Sequence, residues 1–512
     1  MDSPIVAQLF RQLFRHPACQ SRRNLATLSS CLRYGRRVHQ LQHEQRRHMA
    51  TRPHTVRGGK KGLPDKEAHW QQRSELFAHD MSDEYKAFPT VTANSLRTKS
   101  ERPRQVKMLM RDFIEDSLYN PHYGYFSKQV VIFTPGEPFD FNSIPDEPSF
   151  YSELGRRYTE FEDALDARDN RIDDTRQIWH TPTELFRPFY GEAIARYLMS
   201  NYLMTTYPYH DLIIYEMGAG RGTLMLNILD YIRDIEPAVY DRTKFKIIEI
   251  SPSLAALQNS QLLSTAATRG HLSKVEIVNK SIFDWDERVP SPCFFLAMEV
   301  FDNFAHDVLR YDLETEEPLQ GTVLIDAQGD FYEFYEPVLD PVAARYLRVR
   351  HAATQGRYRV PYPTTRAARW LRRQLLPLAP NLSNPEYVPT RLMQFFDILE
   401  RYFPAHRLLT SDFHTLPDAV RGLSAPVVQT RFQRRMVPVS TPLVHQGYFD
   451  ILFPTDFRVV EAVYRAITGK LTRVLTHEEF MRGWAYVEDT RTRSGENPLL
   501  SWYRNASVMV TV

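Results

Sequence analysis

The chain contains few of the residues that would mark it as a secreted, membrane-spanning or metal-binding protein. Among 512 residues there are only three cysteines, Cys19, Cys31 and Cys293, which are too few for a disulfide framework. Its apolar runs are short: residues 293–298 are typical, whereas a helix that crosses a bilayer needs roughly 20 apolar residues. Its histidines and cysteines lack the paired spacing of a zinc site, and no Gly-x-Ser-x-Gly turn presents a nucleophilic serine. We therefore expect no disulfides, no membrane span and no bound metal.

The first 52 residues are rich in arginine and contain almost no acids. Residues 1–52 hold ten Arg, no Lys and only two acids, Asp2 and Glu44. Their larger apolar residues share one helical face: Ile5, Leu9, Phe10, Leu13 and Phe14. This pattern is typical of a mitochondrial presequence that is removed after import. The alternative is a disordered basic arm that contacts nucleic acid or anionic lipid.

The remaining 460 residues have a composition typical of a globular protein with a slight excess of acids. Overall the chain is 43% apolar and 25% charged, and its length allows two or three domains. Cleavage near Met49–Arg52 would leave 54 Lys and Arg against 60 Asp and Glu. This balance argues against nucleic acid as the main partner and is compatible with a cationic protein substrate.

The residue pattern divides the chain between positions 53 and 203 into two regions. Residues 53–104 are polar and are expected to be a disordered lead-in. Residues 105–203 are expected to form an N-terminal cap region with an insert. Within it we predict a helix from Gln105 to Asn120-Pro121, because the residue before proline avoids the helical region. The charged stretch 153–174 predicts a solvated helix or loop, and an apolar helix should end at Leu203.

From Asp211 onwards, strand patterns alternate with helix patterns. The predicted elements are strands at 211–216, 245–250, 274–279 and 293–298, helices at 223–235 and 253–268, and late strands of the same sheet at 408–413 and 444–453. This alternation indicates a parallel sheet with helices on both faces, an α/β fold. We assign it to a domain at 204–490, which contains a mostly helical, Arg-rich insertion at 341–404. Residues 491–512 form a tail without an assigned place.

The most informative stretch is Asp211-Leu-Ile-Ile-Tyr-Glu-Met-Gly-Ala-Gly-Arg-Gly-Thr-Leu-Met-Leu226. An apolar strand ends in Glu216, three glycines follow at two-residue intervals (Gly218, Gly220 and Gly222), and a helix pattern begins. Such a turn lets a nucleotide-like ligand approach the backbone and the helix N-terminus.

The spacing of these residues distinguishes between two nucleotide cofactors. The dinucleotide fingerprint is Gly-x-Gly-x-x-Gly, but here the third glycine comes one residue early and an acid precedes the first. Glu249 ends the next predicted strand, 31 residues after Gly218. A carboxylate at that point can accept hydrogen bonds from both hydroxyls of an unphosphorylated ribose. The pattern therefore favours S-adenosylmethionine over NAD, and an NAD-dependent oxidoreductase is a distant alternative.

Two acids follow the fourth predicted strand, in Ala297-Met-Glu-Val-Phe-Asp-Asn-Phe304. Glu299 and Asp302 are close enough in sequence to point at one cation beside the cofactor. A guanidinium can be gripped by carboxylates through paired charge-assisted hydrogen bonds. Such a pair could hold the attacking nitrogen in line with the methyl group, without a metal. The alternative is that an acid here only caps the next helix.

Four segments resemble the mitochondrial complex I assembly factor class of protein arginine methyltransferases, the MidA family. They are Leu118-Tyr-Asn-Pro-His-Tyr-Gly-Tyr-Phe126, Thr181-Pro-Thr-Glu-Leu-Phe-Arg-Pro-Phe-Tyr-Gly-Glu192, Glu216-Met-Gly-Ala-Gly-Arg-Gly-Thr-Leu224 and Ile248-Glu-Ile-Ser251. The family's fourth-strand acid motif is matched only at Glu299 and Asp302. The resemblance extends from about residue 105 to about residue 460.

The resemblance implies a class I methyltransferase: a Rossmann-like, doubly wound sheet with an N-terminal cap. It implies S-adenosylmethionine-dependent, type II formation of symmetric dimethylarginine on a complex I subunit in the mitochondrial matrix, during assembly. The implied cofactor-binding residues are Glu216, Gly218, Gly220, Gly222 and Glu249, with Ser281 and Ile282 beside the adenine. Glu299 and Asp302 would hold the acceptor arginine.

The chain departs from the family pattern around the second acid. Met298, Ala305 and Asp307 stand where the family has asparagine, proline and histidine. His306 could replace that histidine or could be a surface residue. Two further hypotheses therefore remain: a methyltransferase with another acceptor, and a non-catalytic assembly chaperone on a methyltransferase fold.

Overall fold

The computed structural model describes residues 69–72, 79–128, 130–250, 263–362, 365–375, 381–420 and 424–512. The predicted presequence at 1–52 lies outside these residues. Of the predicted helix at 253–268, only Leu263–Thr268 is described, and it is helical. Within the described residues no helix is both long and apolar enough to cross a bilayer.

The strands are named in chain order. They are β1 Trp70–Gln72, β2 Val106–Leu109, β3 Val130–Ile132, β4 Gln177–Trp179, β5 Leu212–Met217, β6 Thr243–Ile248, β7 Val275–Val278, β8 Cys293–Met298, β9 Asp307–Tyr311, β10 Pro318–Ile325, β11 Phe331–Glu336, β12 Glu386–Val388, β13 His406–Phe413, β14 Val427–Phe432, β15 Arg435–Val439, β16 Asp450–Leu452, β17 Thr472–Thr476 and β18 Ala506–Thr511.

The helices are named in the same way. They are α1 Ser82–Ala87, α2 Ala93–Leu96, α3 Met110–Tyr119, α4 Tyr125–Lys128, α5 Glu147–Asp169, α6 Pro182–Leu185, α7 Phe189–Thr205, α8 Thr223–Ile235, α9 Pro237–Asp241, α10 Leu263–Thr268, α11 Pro341–Ala353, α12 Arg366–Leu375, α13 Thr390–Tyr402, α14 Phe457–Thr468, α15 His477–Trp484 and α16 Pro498–Ser501. Short 3-10 turns cover Phe141–Ser143, Leu272–Lys274, Ile282–Asp284, Phe301–Asn303 and Val487–Thr490.

The main sheet has seven strands in the order β17-β18-β13-β8-β5-β6-β7. The five strands from β13 to β7 run parallel, and β18 and β17 pair antiparallel at one edge. The four predicted strands from 211 to 298 lie side by side as β8, β5, β6 and β7. The α/β organisation expected from the sequence is therefore present.

Successive residues of the main sheet enter two different cores. Phe294 and Val508 belong to a core that includes residues of α7, α8 and α15. Their neighbours Phe295 and Met509 belong to a second core that includes residues of α11, α13 and α14. This division follows from the two-residue period of a strand. It also explains why the central strands are continuous apolar runs, since both of their faces are covered.

A second sheet, which the sequence reading did not foresee, combines β1 and β2 with four strands that follow β8 in the chain. Its order is β1-β11-β10-β9-β12, and β2 pairs with β10. Because β2 and β12 come from distant parts of the sequence, this sheet ties the region 105–203 to the segment before α13. A three-stranded sheet, β15-β14-β16, packs into the same core as β2 and α3.

The expectation of a disordered lead-in at 53–104 is wrong for its described part. Strand β1 pairs with β11, and α1 places Tyr85 in a small core with Phe334. The Tyr85 hydroxyl donates to the Glu336 carboxylate at 2.6 Å. The burial of Tyr85 and the pairing of β1 thus give a defined structure to a stretch whose composition is polar.

The predicted helix from Gln105 begins too early, because residues 106–109 are strand β2. They pair with β10 before the chain turns into α3. The helix ends at Tyr119, next to Asn120-Pro121, as predicted. The charged stretch is the helix α5, and the apolar helix α7 ends at Thr205.

Three assignments in the C-terminal half are also corrected. The stretch 444–453 does not join the main sheet, since β16 pairs with β14 instead. The unassigned tail 491–512 contains β18, which lies between β13 and β17. The insertion 341–404 is mostly helical, yet α13 packs on the main sheet and leads into β13. The main-sheet domain therefore extends beyond residue 490, because the apolar residues of β18 complete both cores.

Truncation of Met509 should destabilise the protein because the side chain is fully buried in the core that also contains Phe295 and residues of α13. We expect Met509→Ala to lower the free energy of unfolding by about 2–5 kcal/mol in urea titrations. The control is Val512→Ala, because Val512 is 74% exposed; it should change that free energy by less than about 0.5 kcal/mol. Equal small effects of both substitutions would contradict the placement of β18.

Candidate functional site

The ends of four adjacent parallel strands bring the predicted site residues to one edge of the main sheet. Glu216 is the penultimate residue of β5, and Glu249 directly follows β6. Ser281 comes three residues after β7, and Glu299 directly follows β8. Carboxyl ends of parallel strands in such sheets form a crevice for ligands.

A cleft of about 1540 Å³ opens at this edge. All the predicted site residues line it except Gly222: Glu216, Gly218, Gly220, Glu249, Ser281, Ile282, Glu299 and Asp302. The structure thus brings together residues that are up to 86 positions apart in the sequence. Their individual roles remain predictions.

The glycine turn leaves the main chain bare at the floor of the cleft. Gly218, Gly220 and Gly222 have φ angles of +72°, +53° and +75°, a region that residues with a Cβ atom rarely adopt. Gly222 is the N-cap of α8. A Cβ atom on Gly220 would lie 2.7 Å from Ile132 Cδ1 of β3, so the insert of the cap region packs against the turn.

Glu184, which sequence reasoning missed as a site residue, supports the same turn. It belongs to the Thr-Pro-Thr-Glu segment. The Thr181 hydroxyl accepts a hydrogen bond from the Glu184 amide and so caps the N-terminus of α6. The Thr223 hydroxyl, at the first residue of α8, donates to Glu184 Oε1 at 2.5 Å. The family-like segment at 181–192 is therefore connected directly to the glycine turn. The family resemblance included Glu184 in its second segment, but it assigned no role to this acid.

The residues expected beside the ribose and adenine lie along one wall of the cleft. Asn279 donates from its side chain to the Glu249 carbonyl at 2.8 Å, which fixes the segment that follows β6. The Ser281 hydroxyl accepts from the Phe283 amide and starts the 3-10 turn there. Ile282 is buried and presents an apolar surface. An apolar side chain beside polar backbone suits a flat heterocyclic ring.

The turn that carries the two predicted catalytic acids is held by Asp412 of β13. Glu299 has a φ of +54°, an unusual conformation for a residue with a side chain. Asp412 Oδ2 accepts from the amides of residues 300, 301 and 302 at 3.1, 2.7 and 3.4 Å. The Glu299 amide donates to the Ser411 carbonyl at 2.8 Å. Asp412 therefore positions both Glu299 and Asp302.

Asp412 was missed by the sequence reading, although a signal for it existed. The stretch 408–413 was predicted as a strand of the same sheet, and Ser411 pairs in register with Met298. An acid at the end of that strand must consequently lie beside Glu299. The position of the strand in the sheet order was the missing information.

Asp302 does not cap the following turn, which contradicts the structural alternative considered for it. It lies inside the 3-10 turn Phe301–Asn303, whose N-cap is Val300 and has no side-chain cap. The residue is buried, and Asp302 Oδ1 receives no hydrogen bond from the described residues. A buried carboxylate oxygen without a donor is unfavourable unless a ligand completes it.

Four buried carboxyl groups at or near the floor of the cleft are shifted towards their neutral forms. Burial, with a contribution from Asp412, raises the pKa of Glu299 to about 8. Burial, Asp412, Asp450 and Glu299 together raise the pKa of Asp302 well above its usual value. Burial likewise raises the pKa values of Asp412 and Asp450 to about 7. Desolvation penalises the negative charge of all four groups, and neighbouring acids add to the penalty at Glu299 and Asp302.

Glu216, near the end of β5 and just before the glycine turn, is a fifth buried acid and also lines the cleft. Its side chain is buried, and Oε2 has no donor among the described residues. Burial raises the pKa of Glu216 to about 8. A cation beside Glu216 would relieve both its missing hydrogen bond and its charge penalty.

The charged side chains that line the cleft are mostly acidic, as are the buried groups at its floor. Eleven acidic side chains and five Lys or Arg side chains line it. Among the residues with described geometry, no three His, Cys, Asp or Glu side chains are arranged to hold a metal ion. An acid-lined cleft of this kind concentrates cationic ligands.

His306 is neither a surface residue nor a member of the cleft. Its ring stacks on Phe453 at 3.7 Å, and its Nδ1 lies 2.7 Å from the Phe304 carbonyl. Burial lowers the pKa of His306 to about 3. Asp307, at the family's histidine position, forms a buried ion pair with Arg111 at 2.6 Å. Both residues stabilise the fold.

The C-terminal segment adds two aromatic residues to the cleft that the sequence reading did not assign. Trp502 and Tyr503, between α16 and β18, both line it. The buried Tyr503 hydroxyl lacks a hydrogen-bond partner in the described part of the chain. Aromatic walls beside carboxylates favour an organic cation.

Comparison with known proteins identifies the family. A family model described as "Putative S-adenosyl-L-methionine-dependent methyltransferase" matches residues 193–476, more than half of the chain. The chain therefore belongs to this family of S-adenosylmethionine-dependent methyltransferases, and S-adenosylmethionine is its cofactor. The bare glycine turn and the unpaired acid Glu216 fit a nucleoside with a cationic sulfur.

Two further comparisons show which proteins the chain is similar to. It is 23% identical over 394 residues to the Schizosaccharomyces pombe protein named "Protein arginine methyltransferase NDUFAF7 homolog, mitochondrial", covering 75% of this chain and 80% of that protein. A COG1565 superfamily member from Burkholderia thailandensis, solved with S-adenosyl-homocysteine, is 15% identical with a TM-score of 0.49. That match covers 84% of this chain and 93% of the other.

Replacement of the unpaired acid Glu216 should stabilise the protein in a pH-dependent way. The pKa is raised in the folded state, so its ionisation costs stability as the pH rises from about 4.5 to about 8. We expect Glu216→Gln to raise the free energy of unfolding by on the order of 2 kcal/mol at pH 8 and far less at pH 5. Urea titrations at the two pH values measure this.

The matched control for this prediction is Glu400→Gln, which removes a carboxylate from an exposed position in α13. It should leave the difference between pH 5 and pH 8 unchanged. A gain for Glu216→Gln that is equal at both pH values would show that the carboxylate is not desolvated.

Proposed function

We propose that the chain transfers methyl groups from S-adenosylmethionine to arginine side chains of a protein. The observation that supports this best is the convergence of buried acids, with an unpaired Asp302 Oδ1, beside the cofactor turn. Arginine stays cationic at any physiological pH and offers five donors in one plane. Paired carboxylates match that geometry better than they match a neutral acceptor.

We also propose that the fold is a class I, Rossmann-like, doubly wound arrangement. The parallel order β8-β5-β6-β7 and the cores on both faces of the sheet support it. Residues 105–203 would act as a cap, since β3 and the end of α5 line the outer cleft. They are not a separate domain, because β2 belongs to the second sheet.

Each group of residues has a distinct role in cofactor binding. The backbone at Gly218, Gly220 and Gly222 would accommodate the amino-acid end and the sulfur region. Glu249 would accept the ribose hydroxyls, and Ser281 and Ile282 would flank the adenine. Bound S-adenosylmethionine supplies a methyl group on a positively charged sulfur.

Glu299 and Asp302 would bind, orient and deprotonate the acceptor. Their carboxylates hold the guanidinium, while Asp412 keeps the turn rigid. When a guanidinium nitrogen forms its bond to the methyl carbon, the carbon–sulfur bond breaks and the nitrogen must lose a proton. Glu299 is the group that accepts this proton, because a pKa near the working pH suits both uptake and release.

The substrate and location follow the named relative and the family resemblance. We infer type II chemistry, which gives symmetric dimethylarginine, on a complex I subunit in the mitochondrial matrix. The name of the Schizosaccharomyces pombe relative supports a mitochondrial location and a protein acceptor. The Arg-rich, acid-poor segment at 1–52 supports import.

Neutralising the acid pair should remove methyl transfer without removing the cofactor. With Glu299→Gln or Asp302→Asn we expect kcat/KM for an arginine peptide to fall by about 100-fold or more, because transition-state positioning is lost. Affinity for S-adenosylmethionine, measured by calorimetry, should change little. Labelled methyl transfer, acid hydrolysis and mass spectrometry identify the product.

The control variant is Glu400→Gln, which should transfer at the rate of the unmodified chain. Three outcomes would contradict the proposal: label on lysine or on a small molecule, transfer unaffected by both substitutions, or no transfer at all. The last result, together with normal complex I assembly in cells that carry Gly220→Arg, would favour the non-catalytic chaperone.

The pH dependence of kcat/KM should follow the acids of the free cleft. Only ionised carboxylates can pair with a guanidinium, and the pKa of Glu299 is about 8. We therefore expect kcat/KM to rise between pH 6 and pH 8 and to level off above that range. The rise in kcat should be displaced to lower pH, because bound arginine stabilises the carboxylates. A kcat/KM that is flat or falls over this range would be inconsistent with the assignment.

A further inference from the structure

Helix α12, residues Arg366–Leu375, exposes large apolar side chains. Trp370 is 63% exposed, Leu371 is 50% exposed and Leu375 is 69% exposed. Residues spaced by four share a face of a helix, so Ala367, Leu371 and Leu375 form one apolar stripe. Neighbouring exposed apolar residues of this size mark a contact surface rather than scattered exposure.

The segment that carries α12 is held at both ends by the same residue of β9. The ring of Tyr362 lies 5.0 Å from that of Tyr311. After the helix, the Ser383 amide donates to the Tyr311 carbonyl at 2.9 Å, and Leu382 is buried. The residues before and after this segment therefore both contact Tyr311, beside the second sheet. Helix α12 lies between them in the chain.

The charged residues of the sequence stretch that contains α12 are all positive. Residues 341–385 contain nine arginines and no aspartate or glutamate. Acids from outside the stretch pair with two of them: Asp397 with Arg345 and Glu386 with Arg350. Four of the arginines belong to the sequence of α12 itself, at positions 366, 369, 372 and 373.

We propose that α12 docks this protein onto an anionic lipid surface. The leucine stripe would enter the boundary between headgroups and acyl chains, while the arginines contact phosphates. Trp370 is exposed next to Leu371, and an indole suits the membrane interface. A nucleic acid would account for the arginines but not for the aliphatic stripe. The helix is too short to span a bilayer and would lie in its plane.

The test is co-sedimentation of the full chain with vesicles of phosphatidylcholine, with and without phosphatidylglycerol. We expect association with the anionic vesicles that weakens with added salt. The double variants Leu371→Ala/Leu375→Ala and Arg372→Glu/Arg373→Glu should each weaken it by about tenfold or more, because both apolar burial and charge contribute. Methyl transfer to a peptide in solution should be unchanged, which separates this proposal from the proposed function.

The control is Leu471→Ala, since Leu471 is 63% exposed but lies outside the Arg-rich stretch; it should bind vesicles normally. Equal thermal melts of all variants would show that folding is intact. Absence of binding, or equal binding to neutral vesicles, would overturn the proposal. Binding of RNA that persists in Leu371→Ala/Leu375→Ala, without vesicle binding, would assign the arginines to nucleic acid and overturn it as well.

Discussion

The site depends on one constraint: several carboxyl groups are buried at one edge of a sheet, and no Lys or Arg among the described residues forms an ion pair with them. Desolvation raises the pKa values of Glu216, Glu299, Asp302, Asp412 and Asp450, and neighbouring acids add to the shift at Glu299 and Asp302. An isolated fold would gain stability by replacing them with neutral groups. Their presence is explained if a cationic ligand completes the site. The free protein then loses stability, and the site gains the charge that its activity requires.

Rigid support is the second requirement of such a site. Acids that repel each other would move apart on a mobile loop. Here the amides of residues 300–302 converge on Asp412 Oδ2, and Glu299 is held in a left-handed conformation. The central position of β13 between β8 and β18 fixes Asp412 in turn. Strands β14 and β16 of the three-stranded sheet and the cap region then build the walls of the cleft around this floor.

The sequence could predict those parts of the site that depend on local pattern. The glycine turn, the start of α8 at Thr223 and the acids at the ends of β6 and β8 each follow from a few consecutive residues. Asp412 needed only the strand order. Asp450 and Trp502 could not be found, because β16 pairs with β14 outside the main sheet and β18 joins it from the far end of the chain. Antiparallel pairing across such distances leaves no local signal.

The central claim, that unbalanced acids form the acceptor site, can be tested most directly by proton release. An arginine peptide is titrated at pH 7 into the chain saturated with S-adenosylhomocysteine, in two buffers of different ionisation enthalpy. The account predicts release of about one proton or more per peptide bound, because the guanidinium forces Glu299 and Asp302 to ionise. It also predicts a smaller release with Asp302→Asn. Binding without proton release, identical in both buffers and in the variant, would contradict it.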